Sequence, residues 1–141
     1  MDDVELHLPP DVAHVGIARL VVTSAARQCG LDDGRVEDLK IAVSEATTNA
    51  ILAHQRVDVA RPVVLAFGAA DGRFEVTIQD AGPGFEPPPI EQADTRDWTQ
   101  EGGLGVTLIR GLADDVAFQH DEGTAVHMTF AVTIEEHGAS A

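Results

Sequence analysis

The sequence predicts an α+β fold in which three helices cover one face of an antiparallel or mixed β-sheet. Apolar residues repeat with helical or strand periodicity in the order strand, two helices, two strands, helix, two strands. The chain has 141 residues, which is about the length of one domain with a single core. We therefore expect residues 1–141 to form one domain. Its core should consist of Val, Leu, Ile and Ala, because aromatic residues make up only 4% of the chain.

The first part of the chain is typical of a strand followed by two helices. The segment VELHLP alternates as a strand does, and the PPD that follows contains helix-start signals. The first predicted helix runs from about Val12 to Cys29, and Cys29 is expected to be a small buried residue. The second helix begins at Asp32 or Asp33 and continues to about His54.

The second part of the chain predicts two hairpins separated by a long loop and a helix. PVVLAFGAADGRFEVTIQD contains two strands joined at Asp71-Gly72, and VAFQHDEGTAVHMTFAV is the closing hairpin. Residues Ala81–Gly103 show no sustained periodicity, and loops of this length in a compact domain are usually functional or mobile. LGVTLIRGLADD is a short helix opened by glycines. The polar tail over residues 134–141 is expected to be disordered.

Charge and cysteine content limit the classes of protein to which the chain could belong. The formal net charge of −15, from 24 acidic and 9 basic residues, argues against a nucleic-acid-binding protein and disfavours an anionic membrane surface. A basic protein partner fits this charge, although acidity also keeps small domains soluble. With one cysteine, no internal disulfide is possible. No signal peptide or apolar span of about 20 residues is present, so the cytoplasm is the expected compartment.

The second helix carries a carboxylate and an amide, Glu45 and Asn49, at the edge of its apolar stripe. Residues four apart share a helix face, so both side chains point the same way, with Ile41 and Leu52 on their other side. Burying a polar group without a partner costs on the order of 2–7 kcal/mol, so either another part of the chain or a ligand should satisfy the pair. An isolated E-x-x-x-N pair is more often a plain exposed helix edge. The stripe consists of Val36, Leu39, Ala42, Val43, Ala46, Ala50 and Ala53.

QDAGPG places Asp80 at the end of a buried strand, directly before alternating glycines. A carboxylate held there could accept the exocyclic amine of adenine, and Gly82 would let the base approach the backbone. Taken alone, the segment is an ordinary D-x-G turn.

EGGLGVTLIRG places Gly102, Gly103 and Gly105 directly before an apolar helix. Free N–H groups at a helix N-terminus, together with the positive end of its dipole, favour phosphate binding. The alternative is a hinge between loop and helix.

EGTAVHM opens the last strand with Gly123-Thr124, where the threonine hydroxyl could help to hold a base. Taken alone, this segment is a plain hairpin turn.

Together, the order and spacing of these four motifs resemble the GHKL superfamily of ATPases and kinases. Within it, DLKIAVSEATTNA and EGGLGVTLIRGLADDV are most similar to the bacterial anti-sigma factor serine/threonine kinases. The resemblance covers about Val4 to Val132. It implies a histidine-kinase-like ATPase fold that binds ATP and Mg²⁺.

The resemblance also implies roles for the motif residues. Asn49 would coordinate Mg²⁺, and Glu45 would act as general base or orient the attacking hydroxyl. Asp80 would accept a hydrogen bond from the adenine amine. A lid over residues 85–101 would close on the nucleotide. The remaining residues implied in nucleotide binding are Gly82, Gly84, Gly102, Gly103, Leu104, Gly105 and Thr124.

Two features depart from the pattern of the family. The family has a histidine in the turn after the asparagine, whereas Ala53 holds that place here and His54 follows one residue later, rotated by about 100°. The lid segment has no lysine. Any cation near the phosphates would have to come from Arg96, Arg110 or a partner.

By resemblance, the protein would be an anti-sigma factor and serine/threonine kinase. It would bind a sigma factor, phosphorylate an anti-anti-sigma protein of STAS type, and form a homodimer, with Arg19 of the first helix as a partner contact. The alternative is a nucleotide-binding or partner-switching module with little or no kinase activity.

Overall fold

The computed structural model describes residues 4–56, 61–80, 103–120 and 123–132. The predicted lid and the polar tail lie outside these ranges. A short 3₁₀ turn over Val12–His14 precedes the first α-helix. The strands are β1 (Val4–Leu8), β2 (Val63–Ala70), β3 (Arg73–Gln79), β4 (Asp115–His120) and β5 (Thr124–Ala131), and the helices are α1 (Val15–Gln28), α2 (Asp33–Arg56) and α3 (Gly103–Leu112).

The five described strands form one sheet in the order β1-β2-β3-β5-β4, and every neighbouring pair is antiparallel. The register aligns Leu65 with Ile78 and Phe74 with Phe130, so large apolar residues share one face of the sheet. These residues are buried, whereas alternate residues of β3 such as Glu75 and Thr77 lie on the opposite face. The period-2 pattern therefore positions the core on one side of the sheet, as predicted.

The helices supply the second layer of the fold. α2 packs against α1, against α3 and against the strands β2, β3 and β5. Most of its apolar stripe is buried, including Val36, Leu39 and Val43, which are fully inaccessible to solvent. This arrangement confirms the predicted α+β class with helices on one face of an antiparallel sheet. Among the described helices, none is both long and apolar enough to cross a bilayer.

A side-chain cap begins the 3₁₀ turn that leads into α1, and a glycine reversal ends α1. The Asp11 carboxylate accepts the N–H of Ala13 at 2.9 Å, so the chain enters a 3₁₀ turn before α1 begins at Val15. At the other end, the N–H of Leu31 bonds the Ala26 carbonyl at 3.0 Å, across Gly30 at φ 98°. This 6→1 bond across a left-handed glycine is a Schellman arrangement.

The helix end explains why the expected burial of Cys29 was wrong. Cys29 is a free, exposed thiol at the C-cap of α1. The chain reverses at Gly30, and it is Leu31 that returns to the core and is buried. A hydrophobic contact after the reversal is usual in this motif.

Candidate functional site

Glu45 and Asn49 lie on one side of α2, at the boundary between its buried and exposed faces. Both side chains are half-buried, and neither forms a hydrogen bond or ion pair with another residue in the part of the chain that the structure describes. On their inner side is the buried residue Ala46. On their outer side, Ile41 and Leu52 are 42% and 38% exposed, so the predicted apolar flank on this side faces solvent. The pair thus presents a carboxylate and an amide toward an open edge of the helix.

Asp80 and Thr124 form the second part of the site, at the end of β3 and the start of β5. Both residues are buried. The Asp80 N–H donates to the Thr124 carbonyl at 2.9 Å, and the Thr124 N–H donates to Asp80 Oδ1 at 3.3 Å. The sequence pointed to the hydroxyl of Thr124, and the structure adds its backbone N–H, which orients the carboxylate. The close pairing of D-x-G and G-T segments on adjacent strands is the signal that could have predicted this contact.

The third part of the site is the N-terminus of α3. The helix begins at Gly103, so the backbone of Gly103, Leu104 and Gly105 forms its first turn. The first N–H groups of any helix lack partners within that helix. Gly82, Gly84 and Gly102 lie outside the described residues.

The orientation of α3 brings its N-terminus toward the pair on α2. The two helices pack together, and Asp114, just after α3, bonds Arg35 near the start of α2. The helices are therefore antiparallel. Both rise about 1.5 Å per residue, so Gly103 lies at about the level of Ala46 on α2. The N-terminus of α3 is thus level with the turn that contains Glu45 and Asn49.

The ends of β3 and β5 that carry Asp80 and Thr124 lie away from the Arg35–Asp114 ion pair, as the Glu45–Asn49 pair does. The N–H of Ala131, the last residue of β5, also bonds Asp114, and Thr124 begins the same strand. Thr124 is therefore about 24 Å from Ala131 along the strand, and Asn49 is about 21 Å from Arg35 along α2. The three groups of site residues thus lie toward the same end of the fold.

Comparison with known proteins identifies the family to which this arrangement belongs. The family model for the histidine kinase-like ATPase domain matches residues 8–130, which is most of the chain. The chain belongs to this histidine kinase-like ATPase family.

Relatives within the family share sequence over most of their length. The chain is 37% identical to the serine-protein kinase RsbW of Bacillus subtilis (strain 168) over 135 residues, which cover 91% of this chain and 84% of that protein. It is 35% identical to the serine-protein kinase RsbW of Bacillus velezensis, over 99% of this chain and 93% of that protein. The chain is thus a member of the RsbW group of this family.

A solved structure confirms the fold. The crystal structure of the RsbU and RsbW domains of Rv1364c from Mycobacterium tuberculosis superposes with a TM-score of 0.71 at 18% sequence identity. The match covers 96% of this chain and 34% of that chain. At this identity the likeness bears on the fold alone.

His54 lies on a different face of α2 from Asn49, as its place five residues after Asn49 predicts. Its side chain is fully buried on the core side of the helix, and its Nδ1–H donates to the Arg61 carbonyl at 2.9 Å. Ala53 takes the place on the face of Asn49, four residues along the helix, where it is half-buried. The histidine therefore links the end of α2 to the segment just before β2. The face of α2 that carries Asn49 has the methyl group of Ala53 where a histidine would otherwise lie.

Arg110, a predicted source of positive charge near the phosphates, lies over Phe118 of β4 instead. It lies in the last turn of α3, and its guanidinium carbon is 5.0 Å from the centre of the Phe118 ring on β4. That turn is about 10 Å from the first residue of the helix. Arg96 lies outside the described residues.

The residues present fit the nucleotide and Mg²⁺ that an ATPase of this family implies. Asp80 is a buried carboxylate with one oxygen held by a backbone N–H, as a fixed acceptor for an amine requires. Asn49 offers a hard amide oxygen, and Mg²⁺ commonly takes one or two protein oxygens together with phosphates and waters. Among the described residues, no group of three or more His, Cys, Asp or Glu is positioned to hold a metal by itself.

Proposed function

We propose that the protein is an anti-sigma factor and an ATP-dependent serine/threonine protein kinase. It would sequester a sigma factor and phosphorylate an anti-anti-sigma protein of STAS type. The observation that carries this proposal is the convergence of the Glu45–Asn49 pair, the buried Asp80 and the N-terminus of α3 toward one end of the fold. The similarity to serine-protein kinases over nine-tenths of the chain supports it.

In this proposal three groups of residues bind the nucleotide. Asp80, with Thr124 and the glycines Gly82 and Gly84, holds the adenine. Gly102 and the first turn of α3, with Gly103, Leu104 and Gly105, bind the phosphates through backbone N–H groups and the helix dipole. Asn49 holds Mg²⁺, which supplies charge neutralisation on the phosphates. Residues 85–101 form the lid of a single domain.

Glu45 acts as the general base or orients the incoming hydroxyl. The serine or threonine oxygen forms a bond to the γ-phosphorus, the bond from that phosphorus to the β–γ bridging oxygen breaks, and ADP leaves. The hydroxyl proton passes to the Glu45 carboxylate. A positioned base of this kind accelerates reactions by roughly 10²–10⁴-fold.

We propose that the protein partners bind at the outer face of α1. Arg19 is exposed there, and its Nη1 lies 3.4 Å from Ser44 Oγ on α2, which holds the guanidinium at the groove between the two helices. Neighbouring Ile17 and Leu20 are 52% and 65% exposed, so an apolar strip accompanies the charge. A homodimer in the cytoplasm is the assembly and location that we propose.

A module that binds nucleotide and partners but transfers phosphate slowly is the second candidate function. The arrangement of cations favours it. Among the described residues, Arg35 pairs with Asp38 and Asp114, Lys40 pairs with Glu37, and Arg110 lies over Phe118. These three cations of α2 and α3 are therefore engaged away from the N-terminus of α3.

The first test is calorimetric titration of ATP with and without Mg²⁺. We expect the wild-type protein to bind ATP in a Mg²⁺-dependent manner. Asn49→Ala should raise the Kd by at least about tenfold, or roughly 1.4 kcal/mol, because it removes the metal ligand. Gln55→Ala is the matched control, since it removes an exposed amide from the same helix. Absence of ATP binding by the wild-type protein would contradict the proposed kinase.

The second test separates the two candidate functions. The protein is incubated with Mg²⁺–ATP and a STAS-domain protein of the same organism, and phosphoserine or phosphothreonine is measured by mass spectrometry. Phosphorylation that is lost in Glu45→Gln, with ATP affinity retained, supports the kinase. ATP binding without transfer supports the binding module.

A further inference from the structure

The three elements that carry the candidate site meet, at their other ends, in one small polar cluster. Arg35 Nη2 donates to Asp114 Oδ2 at 2.8 Å, and its Nη1 bonds Asp38 Oδ2 at 2.5 Å. The same Asp114 oxygen accepts the N–H of Ala131 at 2.7 Å. The Arg35 cluster (Arg35, Asp38, Asp114 and the N–H of Ala131) therefore joins the start of α2, the turn between α3 and β4, and the end of β5.

The Arg35 cluster is held in place by further contacts. The guanidinium carbon of Arg35 is 5.1 Å from the centre of the Phe130 ring, a cation–π contact with a fully buried residue. The Asp114 N–H donates to the Thr129 carbonyl at 2.9 Å. Both charged groups are partly exposed, yet each makes at least two directed bonds. Such a network defines geometry better than an isolated surface pair does.

α3 and the strands β3 and β5 are held in place by contacts of different kinds. A seven-pair ladder holds β5 to β3 and thereby sets the relation of Thr124 to Asp80. Among the contacts of α3 are its packing on α2, the buried side chain of Ile109 near its C-terminal end, the placement of Arg110 over Phe118, and the Arg35 cluster that follows the helix. The Arg35 cluster is therefore one of the contacts that set how α3 lies on α2.

Because α3 is long, a small change of its angle near Asp114 becomes a larger displacement of its N-terminus. Ten residues span about 15 Å, so a rotation of about 10° near Asp114 moves Gly103 by about 3 Å. Hydrogen bonds tolerate a range of only about 0.5 Å in donor–acceptor distance. A small change of position at the Arg35 cluster would therefore break the hydrogen bonds that the N–H groups at the N-terminus of α3 donate to a phosphate.

We infer that Arg35 is a positioning residue for phosphate binding. Through Asp114 it sets the angle of α3 on α2, and so the distance between the phosphate-binding turn and Asn49. Adenine binding does not depend on it, because the β3–β5 ladder fixes Asp80 and Thr124 independently. This inference rests on the proposed function and adds to it a residue about 20 Å from the nucleotide.

The test compares the binding of ATP and of adenosine. Arg35→Met should raise the Kd for Mg²⁺–ATP by about fivefold or more and leave the Kd for adenosine within about twofold of wild type, both by calorimetry. Arg35→Lys should recover part of the loss. Arg73→Met is the matched control, because it removes an arginine paired with Glu75 on the opposite face of the sheet. It should change neither affinity.

The outcomes separate this inference from the function on which it rests. Wild-type protein that binds neither ligand would overturn both. Wild-type protein that binds ATP, with an unchanged Kd in Arg35→Met, would overturn the inference alone. Equal losses for ATP and adenosine would also overturn it, since they would indicate general loss of structure. If Arg35→Met does not fold, Asp114→Asn is measured in the same way, with the same expected contrast.

Discussion

Two buried threonines of the helical layer differ in how their hydroxyl groups are satisfied. Thr23 on α1 donates to the Arg19 carbonyl at 2.8 Å, one turn earlier in the helix. Thr47 on α2 is fully buried, and its Oγ1 has no hydrogen-bond partner among the described residues. An unsatisfied buried hydroxyl costs about 1–3 kcal/mol, so Thr47 lowers the stability of the fold.

We predict that Thr47→Val raises the free energy of unfolding by about 1 kcal/mol. Valine keeps the β-branched shape of threonine and removes only the unpaired hydroxyl. Thr23→Val, which removes a satisfied hydroxyl, should lower the same free energy by about 0.5–1.5 kcal/mol. Urea denaturation of both variants and the wild type measures the difference. A loss of stability in Thr47→Val would contradict the expected cost.

Single residues were predictable from sequence where helical spacing alone determines their position. The burial of Val36, Leu39 and Val43 follows from their spacing, and so does the turn of His54 away from the face of Asn49. Cys29 was not predictable in this way, because its exposure depends on the chain reversal at Gly30. The roles assigned to Glu45 and Asn49 remain predictions.

At the scale of elements, the ends of α2, α3 and β5 are coupled through a carboxylate whose pKa is shifted. The pKa of Asp114 is lowered below its usual 3.8, first because it accepts the N–H of Ala131 and then because of Arg35. Burial alone would lower the pKa of Arg35, but the hydrogen bonds and charges of Asp114 and Asp38 outweigh it and raise that pKa. Both shifts favour the charged pair in the folded protein.

We predict that the Arg35 cluster makes stability depend on pH in the acidic range. A carboxylate with a lowered pKa in the folded state contributes fully above its unfolded pKa, and the contribution is lost as the pH falls through the folded value. The free energy of unfolding should therefore fall more steeply below about pH 4 in wild type than in Asp114→Asn. Urea titrations at several pH values measure this. Asp115→Asn, at an exposed neighbour without these bonds, should follow wild type.

Most elements could be predicted from the sequence because each has a periodic apolar face and a marked end. Asp71-Gly72 predicted the β2–β3 turn, where both residues have positive φ. The sequence predicts a helix from about Val12 and does not distinguish the 3₁₀ turn over Val12–His14, since these residues continue the helical pattern. The ion pair between Arg35 and Asp114 joins residues 79 positions apart, and no local pattern predicts such a contact.

At the scale of the whole molecule, charge is distributed unevenly. The chain carries a net charge of −15, yet α1 contains Arg19 and Arg27 and no acidic residue. The exposed apolar side chains of Ile17 and Leu20 lie on the same helix. The helix therefore offers a partner protein an apolar strip accompanied by positive charge.

We predict that Leu20→Asp weakens binding of a purified STAS-domain or sigma-factor partner by about tenfold or more, or roughly 1.4 kcal/mol. The substitution places a charge where an apolar contact is expected, and it should leave ATP affinity unchanged because α1 carries no residue of the candidate nucleotide site. Surface plasmon resonance for the partner and calorimetry for ATP measure the two effects. Val4→Asp, at another exposed apolar position, on β1, is the control. Unaltered partner affinity in Leu20→Asp would exclude this face.

The family and the fold class followed from sequence because four motifs occur in a fixed order and the elements between them are regular. The identity of the partners did not follow. It depends on surface shape at α1, and a surface has no periodic requirement comparable to that of a core.

The pairing of β1 with β2 has a consequence for how the protein forms during translation. Val4 pairs with Phe67 and Leu8 with Val63, so β1 must wait for a partner synthesised long afterwards. At about 5–20 residues per second, the wait lasts roughly 3–12 s. The contacts between α1 and α2 are local and become available earlier. Once the chain has emerged from the ribosome as far as about residue 60, α1 and α2 can pack together while β1 is still unpaired, and the sheet would assemble only afterwards.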